Sequence, residues 1–277
     1  MTVKIACIQM EPIVGDKAGN IEKSLAHIHE AADAGAQLIV LPELCNSGYV
    51  FESKEETRAL AEPVPGGETV AAWAQAAAER DLHIVAGINE IDGDDLFNSA
   101  VAIGPQGYLG TFRKVHLWNQ ENAFFTPGDR GFPVFDTPLG RIGALICYDG
   151  WFPESYRECA LQGADIVCVP TNWVPINGQD ENRKAMANIL TMAAAHSNSV
   201  FVACADRVGT ERGQPFIGQS LIVSYTGWPI GGPASPTDEQ IVYADVDLDD
   251  PARRSAWNEY NQNPLGDRRP PEYQSAR

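Results

Sequence analysis

Two stretches of this chain repeat one another: Gly35-Ala36-Gln37-Leu38-Ile39-Val40-Leu41-Pro42 and Gly163-Ala164-Asp165-Ile166-Val167-Cys168-Val169-Pro170. Each follows a segment with helical apolar spacing, turns at Gly-Ala, runs through a short apolar strand and stops at a proline. A continuous apolar run this short reads as a strand buried on both faces, and proline ends it because it has no N–H to give the ladder. The repeat predicts two equivalent βα units, with Glu43 and Thr171-Asn172 leaving their strands at comparable positions. In open α/β sheets, sites gather beyond the carboxyl ends of strands.

The rest of the pattern alternates between the two periods. Strands are predicted over residues 3–10, 37–41, 82–89, 99–103 and 108–114, then a hairpin of 133–137 and 141–147 around Leu139-Gly140. Later strands follow over 165–169, 200–206, 217–224 and 241–246. Helices are predicted over 21–34, with Asn20 as the cap, and over 67–80, 154–162 and 182–197. Pro153 sits where the third of these would start. No linker interrupts the body, so a single domain over 1–277 is expected, with 258–277 a polar, proline-rich tail. Lys114 and Cys147 then join Glu43 and Asn172 at strand ends on one edge.

Bulk properties narrow the function. A net charge of −17 repels phosphate, which argues against nucleic acid or an anionic membrane as partner. No apolar run approaches the roughly 20 residues of a membrane helix, and the N-terminus enters a strand pattern at once, so a cytoplasmic protein is expected. The six cysteines are expected as free thiols. Cys7, Cys168 and Cys204 read as strand core residues and Cys159 as a helix residue. No metal-ligand spacing, Walker loop or dinucleotide fingerprint occurs, so neither metal nor cofactor is expected.

Three side chains carry chemistry. Cys147 follows the apolar run Ile142-Gly143-Ala144-Leu145-Ile146 and precedes Tyr148-Asp149-Gly150-Trp151-Phe152-Pro153-Glu154. A sharp strand-to-helix turn there would expose the sulfur and aim backbone N–H groups at its target; the alternative is one more buried structural cysteine. Glu43, beside a buried strand, could be a general base if burial raises its pKa, or a solvated loop carboxylate. Lys114 could hold a thiolate and then an oxyanion, or be a surface charge. A Cys147–His116 dyad lacks an orienting third group, and His116 reads better as a packed or hydrogen-bonding residue.

Taken together, Leu41-Pro42-Glu43, Phe112-Arg113-Lys114-Val115-His116-Leu117 and Gly143-Ala144-Leu145-Ile146-Cys147-Tyr148-Asp149-Gly150-Trp151-Phe152-Pro153-Glu154 resemble, in that order, the nitrilase superfamily of carbon–nitrogen hydrolases. The resemblance implies an α/β fold, a four-layer αββα sandwich of two mixed sheets, assembled as homodimers or larger homo-oligomers. It also implies a Glu43-Lys114-Cys147 triad, with Glu121 as a second glutamate that positions substrate and supports the lysine. Lys114 is then expected to lower the Cys147 thiol pKa, and the backbone N–H of Tyr148 to help hold the oxyanion. Tyr49, Trp118, Phe124, Trp151, Asn172 and Trp173 are expected to line the pocket.

The expected substrate is a small amide, neutral or amine-bearing, cleaved to acid and ammonia through a cysteine thioester. Tyr148-Asp149-Gly150 stands where relatives that grip a carbamoyl amino acid carry a basic pair, and where nitrilases carry Trp-Glu. Hydrolysis of an N-carbamoyl amine or amino acid is the first alternative and nitrile hydrolysis the second. A non-catalytic binding member is the alternative of another class.

Overall fold

The computed structural model describes residues 2–178 and 184–273. In chain order the elements are β1 (Thr2–Gln9), α1 (Lys17–Asp33), β2 (Leu38–Val40), α2 (Lys54–Leu60), α3 (Glu68–Arg80), β3 (His83–Asp92), β4 (Asp95–Gly104), β5 (Gly107–Arg113) and the single turn α4 (Glu121–Phe124). There follow β6 (Val134–Thr137), β7 (Gly140–Ala144), a 3₁₀ turn (Cys147–Trp151), α5 (Pro153–Leu161), β8 (Ile166–Pro170), α6 (Met186–Asn198) and β9 (Phe201–Ala205). A small hairpin, β10 (Thr210–Glu211) and β11 (Gln214–Pro215), precedes β12 (Leu221–Val223), β13 (Pro229–Gly231) and β14 (Gln240–Asp247).

The strands form two six-stranded sheets, ordered β14-β1-β2-β3-β4-β5 and β6-β7-β8-β9-β12-β13. Written this way the two lists correspond position by position. β1, β2 and β3 are mutually parallel, as are β7, β8 and β9, and the flanking strands of each sheet run antiparallel to their neighbours. The repeated segments occupy matching places: Leu38 pairs with Ile5 and Val40 with Cys7, while Ile166 pairs with Ile142 and Cys168 with Ala144. The two βα units read from the repeat are therefore present.

Side-chain alternation along the strands builds the layers. Ile5, Cys7, Leu38, Val40, Val85 and Ala100 face the second sheet and share one buried cluster with its strands. Their neighbours Ala6, Ile8, Ile39, Leu41, Ile84 and Val101 face outward onto Ile28 and Ala31 of α1 and Trp73 and Ala77 of α3. Tyr156 and Cys159 of α5 and Ala195 of α6 close the opposite outer face. Each large apolar side chain buried this way contributes about 1.5–3 kcal/mol. The result is the expected αββα sandwich.

Several boundaries differ for identifiable reasons. α1 starts a turn earlier than Asn20, because Asp16 caps it by accepting from the Gly19 N–H at 3.0 Å. Asn20 lies inside the helix, bonding both Ile13 backbone groups and the Asn46 carbonyl. Residue 182, the predicted start of the helix after β8, lies outside the described residues; α6 is described from Met186. The strand expected over 217–224 shortens to Leu221–Val223 because Ile217 turns away to bond Trp173 O. All six cysteines are buried free thiols.

Candidate active site

Glu43 is the first residue beyond the Pro42 that ends the β2 run, and it is completely buried. Three hydrogen bonds set its backbone. The Gly87 N–H of β3 donates to Pro42 O at 3.1 Å, and the approach is so close that a Cβ on Gly87 would lie 2.4 Å from Glu43 Cα. From the matching strand end of the other sheet, Asn172 Nδ2 donates to Glu43 O at 2.9 Å, and Glu43 N–H points to Thr171 O at 3.4 Å. The two halves of the repeat thus meet at the Glu43 backbone. Glu43 Oε1 accepts from Lys114 Nζ at 2.6 Å and Asn98 Nδ2 at 2.7 Å. Its Oε2 is buried and has no donor among the described residues.

Lys114 leaves β5 with its N–H still on Asn98 O and its carbonyl taken by the Gly128 N–H, both at 2.8 Å. Its Nζ sits between Glu43 and Glu121, 2.7 Å from Glu121 Oε1. Glu121 begins the short α4; its Oε1 also accepts from Tyr49 Oη at 2.6 Å and its Oε2 from the Trp118 N–H at 3.2 Å. Burial alone would lower the Lys114 pKa, but the Glu121 and Glu43 charges outweigh it and hold the ammonium well above an ordinary lysine. Burial raises Glu121 and Lys114 pulls it partly back, leaving it above the usual carboxylate range. Burial, then the Glu121 and Glu43 charges, push the Tyr49 phenol up, so it remains a donor.

Cys147 does not end a strand. Pairing in β7 stops at Ala144, and Cys147 opens the 3₁₀ turn with φ +44°, a left-handed value that a residue with a Cβ rarely adopts. Asp149 holds this geometry: its Oδ2 accepts from the Ile146 N–H at 3.2 Å, its Oδ1 from the His116 N–H at 2.9 Å, and His116 Nδ1 lies 2.7 Å from Oδ1. His116 is therefore the partner of Asp149, stacked on Phe152 at 3.7 Å, and links the Cys147 turn to the segment after Lys114. As the turn's first residues, Cys147 and Tyr148 have N–H groups without intrahelical acceptors, the usual raw material of an oxyanion site.

The thiol departs from expectation. Burial and then the Glu43 charge raise its pKa, and the opposing pull of Lys114 and of the Asn172 backbone does not compensate. Cys147 therefore rests as a thiol, because a carboxylate beside it opposes a second negative charge in a dry site.

The pocket has two lobes on either side of Trp118 and Val174. The inner lobe, about 20 Å³, holds Cys147 among Tyr148, Trp151, Asn172 and Trp173. The outer lobe, about 60 Å³, is bounded by Tyr49, Phe51, Glu121 and Phe124. Every expected lining residue thus faces one lobe or the other. Sequence reasoning missed Asn98, Gly87 and Asp149 as supports of the site. A Gly inside the apolar strand 82–89 was the one available signal, since it marks a close backbone approach.

A family model described as carbon-nitrogen hydrolase matches residues 4–253. A nitrilase of Pyrococcus abyssi is 44% identical over 246 residues, covering 89% of this chain and 90% of that protein. An N-carbamoylputrescine amidase of Solanum lycopersicum is 32% identical, covering 98% of this chain and 93% of its own. Among solved structures, an amidase from Nesterenkonia sp. AN1, with acrylamide added at its active-site cysteine, superposes with a TM-score of 0.80 at 26% identity, covering 98% of both chains.

Proposed function

Because the chain belongs to the carbon–nitrogen hydrolase family, we propose that it is an amidase acting on small, neutral primary amides through Cys147, Glu43, Lys114 and Glu121. The observation that carries this reading is the buried Lys114 ammonium clasped by two carboxylates, one of which keeps an oxygen without a donor among the described residues. That oxygen, Glu43 Oε2, takes the Cys147 proton as Sγ attacks the amide carbon. The developing oxyanion is held by Lys114 Nζ and the Tyr148 N–H. Losing one such donor typically costs about 10²–10³ in turnover. As the C–N bond breaks, Glu43 returns its proton to the leaving nitrogen and ammonia departs, leaving a thioester. Water then gives a proton to Glu43, attacks the thioester carbon and releases the acid, and Glu43 reprotonates the sulfur.

The lobes favour a small, uncharged acyl group. Among the described lining residues the inner lobe presents aromatic and aliphatic side chains with Asn172, and the carboxylate of the outer lobe, Glu121, is already engaged by Lys114. The likeness to the Solanum enzyme keeps hydrolysis of a carbamoyl amine as the second reading. Incubation with a series of primary amides, a carbamoyl amine and a nitrile, scored for ammonia and carbon dioxide, separates the three. Ammonia without carbon dioxide is expected from the amides, with an acyl mass added only to the Cys147 peptide. Full turnover by Cys147→Ala overturns the mechanism. We further infer a cytoplasmic homo-oligomer: six buried free thiols suit a reducing compartment, and Met186 and Ile189 leave an apolar stripe exposed on α6.

A further inference from the structure

A buried ion pair, Arg207 with Glu211, stands at the far end of a chain of contacts that runs through Tyr49 to Glu121. Arg207, just after β9, is 1% exposed and Glu211, in β10, is 5% exposed. Arg207 Nη1 donates to Glu211 Oε1 at 2.8 Å, and Arg207 Nη2 to Pro12 O at 2.9 Å. The other carboxylate oxygen of Glu211 accepts two successive backbone N–H groups, Tyr49 at 2.8 Å and Val50 at 2.5 Å. From the far side Arg212 Nη1 donates to Val50 O at 2.8 Å. The N–H groups of Tyr49 and Val50 and the Val50 carbonyl are thereby all held by side chains of the β10–β11 hairpin. The Phe216 ring, on which the Arg207 guanidinium lies at 4.1 Å, meets the Tyr49 ring edge-on at 5.9 Å and limits its swing. At the tip of that ring, the hydroxyl reaches Glu121 Oε1.

We propose that the Arg207–Glu211 pair is a positioning device for the active site, holding Tyr49 so that its hydroxyl keeps Glu121 against Lys114. The inference rests on the reading of Glu121 and Lys114 as working residues. Its physical basis is economical: two buried charges satisfy each other through one oxygen of Glu211 and leave the second free to fix a loop that belongs to neither sheet. A buried carboxylate with backbone N–H partners is rigid, since its alternative is an unpaired charge in a dry site. Tyr49, kept protonated by burial and the neighbouring carboxylates, shares Glu121 Oε1 with Lys114 and so sets where the ammonium stands.

The test is a double-mutant cycle of Glu211→Gln and Tyr49→Phe, with butyramide or the fastest amide of the series above as probe. Gln keeps one acceptor but cannot serve both Arg207 and the two N–H groups. Glu211→Gln is expected to lower kcat by about tenfold or more with KM changed far less, the signature of a displaced catalytic group. In the Tyr49→Phe background the same substitution should cost little, because the link is already cut. Where Glu211→Gln fails to fold, Glu211→Asp, which keeps the charge facing Arg207 but is one methylene too short for the loop, takes its place in the cycle. Losses that multiply independently of Tyr49, or an unchanged kcat in either Glu211 variant, overturn the proposal. Cys147→Ala measured alongside separates the two levels: if it is inactive, a multiplicative cycle rejects the positioning role alone, and if it is active, the underlying reading of the site falls.

Discussion

Replacing Gly87 by alanine adds one methyl group where β3 passes beneath the strand end that carries Glu43. The new Cβ would lie 2.4 Å from Glu43 Cα, 2.5 Å from Leu44 N and 2.5 Å from Pro42 O, all backbone atoms that no rotamer change can clear. Ordinary contact begins at 3.4 Å, so 3.4 − 2.4 leaves the Glu43 backbone to retreat by about 1 Å. Overpacking of this kind costs about 1–3 kcal/mol, which in a domain of this size lowers Tm by roughly 2–4 °C per kcal/mol. The catalytic effect is larger, because a misplacement of about 1 Å in a reacting group can cost ~10²-fold in rate. Glu43 Oε1 would leave its 2.6 Å bond to Lys114, and Oε2 would leave the place from which the proposed mechanism has it take the thiol proton. Steady-state kinetics on a primary amide, paired with calorimetry, reads both effects. Gly66→Ala is the control, its nearest neighbour being Pro63 Cγ at an unstrained 3.8 Å. A folded Gly87→Ala enzyme with kcat within about threefold of the natural chain refutes the claim that this glycine sets the position of the base.

Lys114→Met leaves the Glu43 and Glu121 carboxylates buried without their shared cation, and should cost about 3–5 kcal/mol in chemical denaturation as well as abolishing turnover; an unchanged denaturation midpoint would contradict the buried clasp. Because burial and Glu43 raise the Cys147 thiol, alkylation of the resting enzyme by iodoacetamide should still be climbing with pH above neutrality, and a plateau by pH 7 would show a preformed thiolate. The linkage has a definite sign: a thiol that binds its proton more tightly when folded contributes stability below the ordinary thiol pKa of about 8.5, and this is lost as pH rises from there toward the folded value. Asp149→Asn turns an amide N–H₂ toward a backbone N–H, that of Ile146 or of His116, and should lower stability by about 1–3 kcal/mol. It should lower kcat as well, by loosening the turn at Cys147; wild-type kcat in a destabilised variant would assign Asp149 to folding alone.

Periodicity along the chain was enough for the alternation of strands and helices and for the strand ends from which key side chains leave, while the four-layer arrangement was implied only by the family resemblance. The repeat around Leu38 and Ile166 predicted two matching βα units, because a run of apolar residues between Gly-Ala and proline has few other ways to be satisfied. The resemblance carried by the order of three short motifs singled out Glu43, Lys114, Glu121 and Cys147 as candidates, because motif order is local information. Only the tertiary structure decided how they act on one another. The thiol pKa depends on a balance between burial, Glu43 and Lys114, and such a balance follows from distances in a dry pocket that no spacing encodes. The left-handed turn at Cys147 is held by Asp149 together with His116, a residue of a different loop. The tightness of Gly87 against Glu43, like the reach of Glu211 to Tyr49, exists only in the folded chain, because each contact joins residues far apart in sequence, the first brought together by strand pairing and the second by a loop packing against a hairpin.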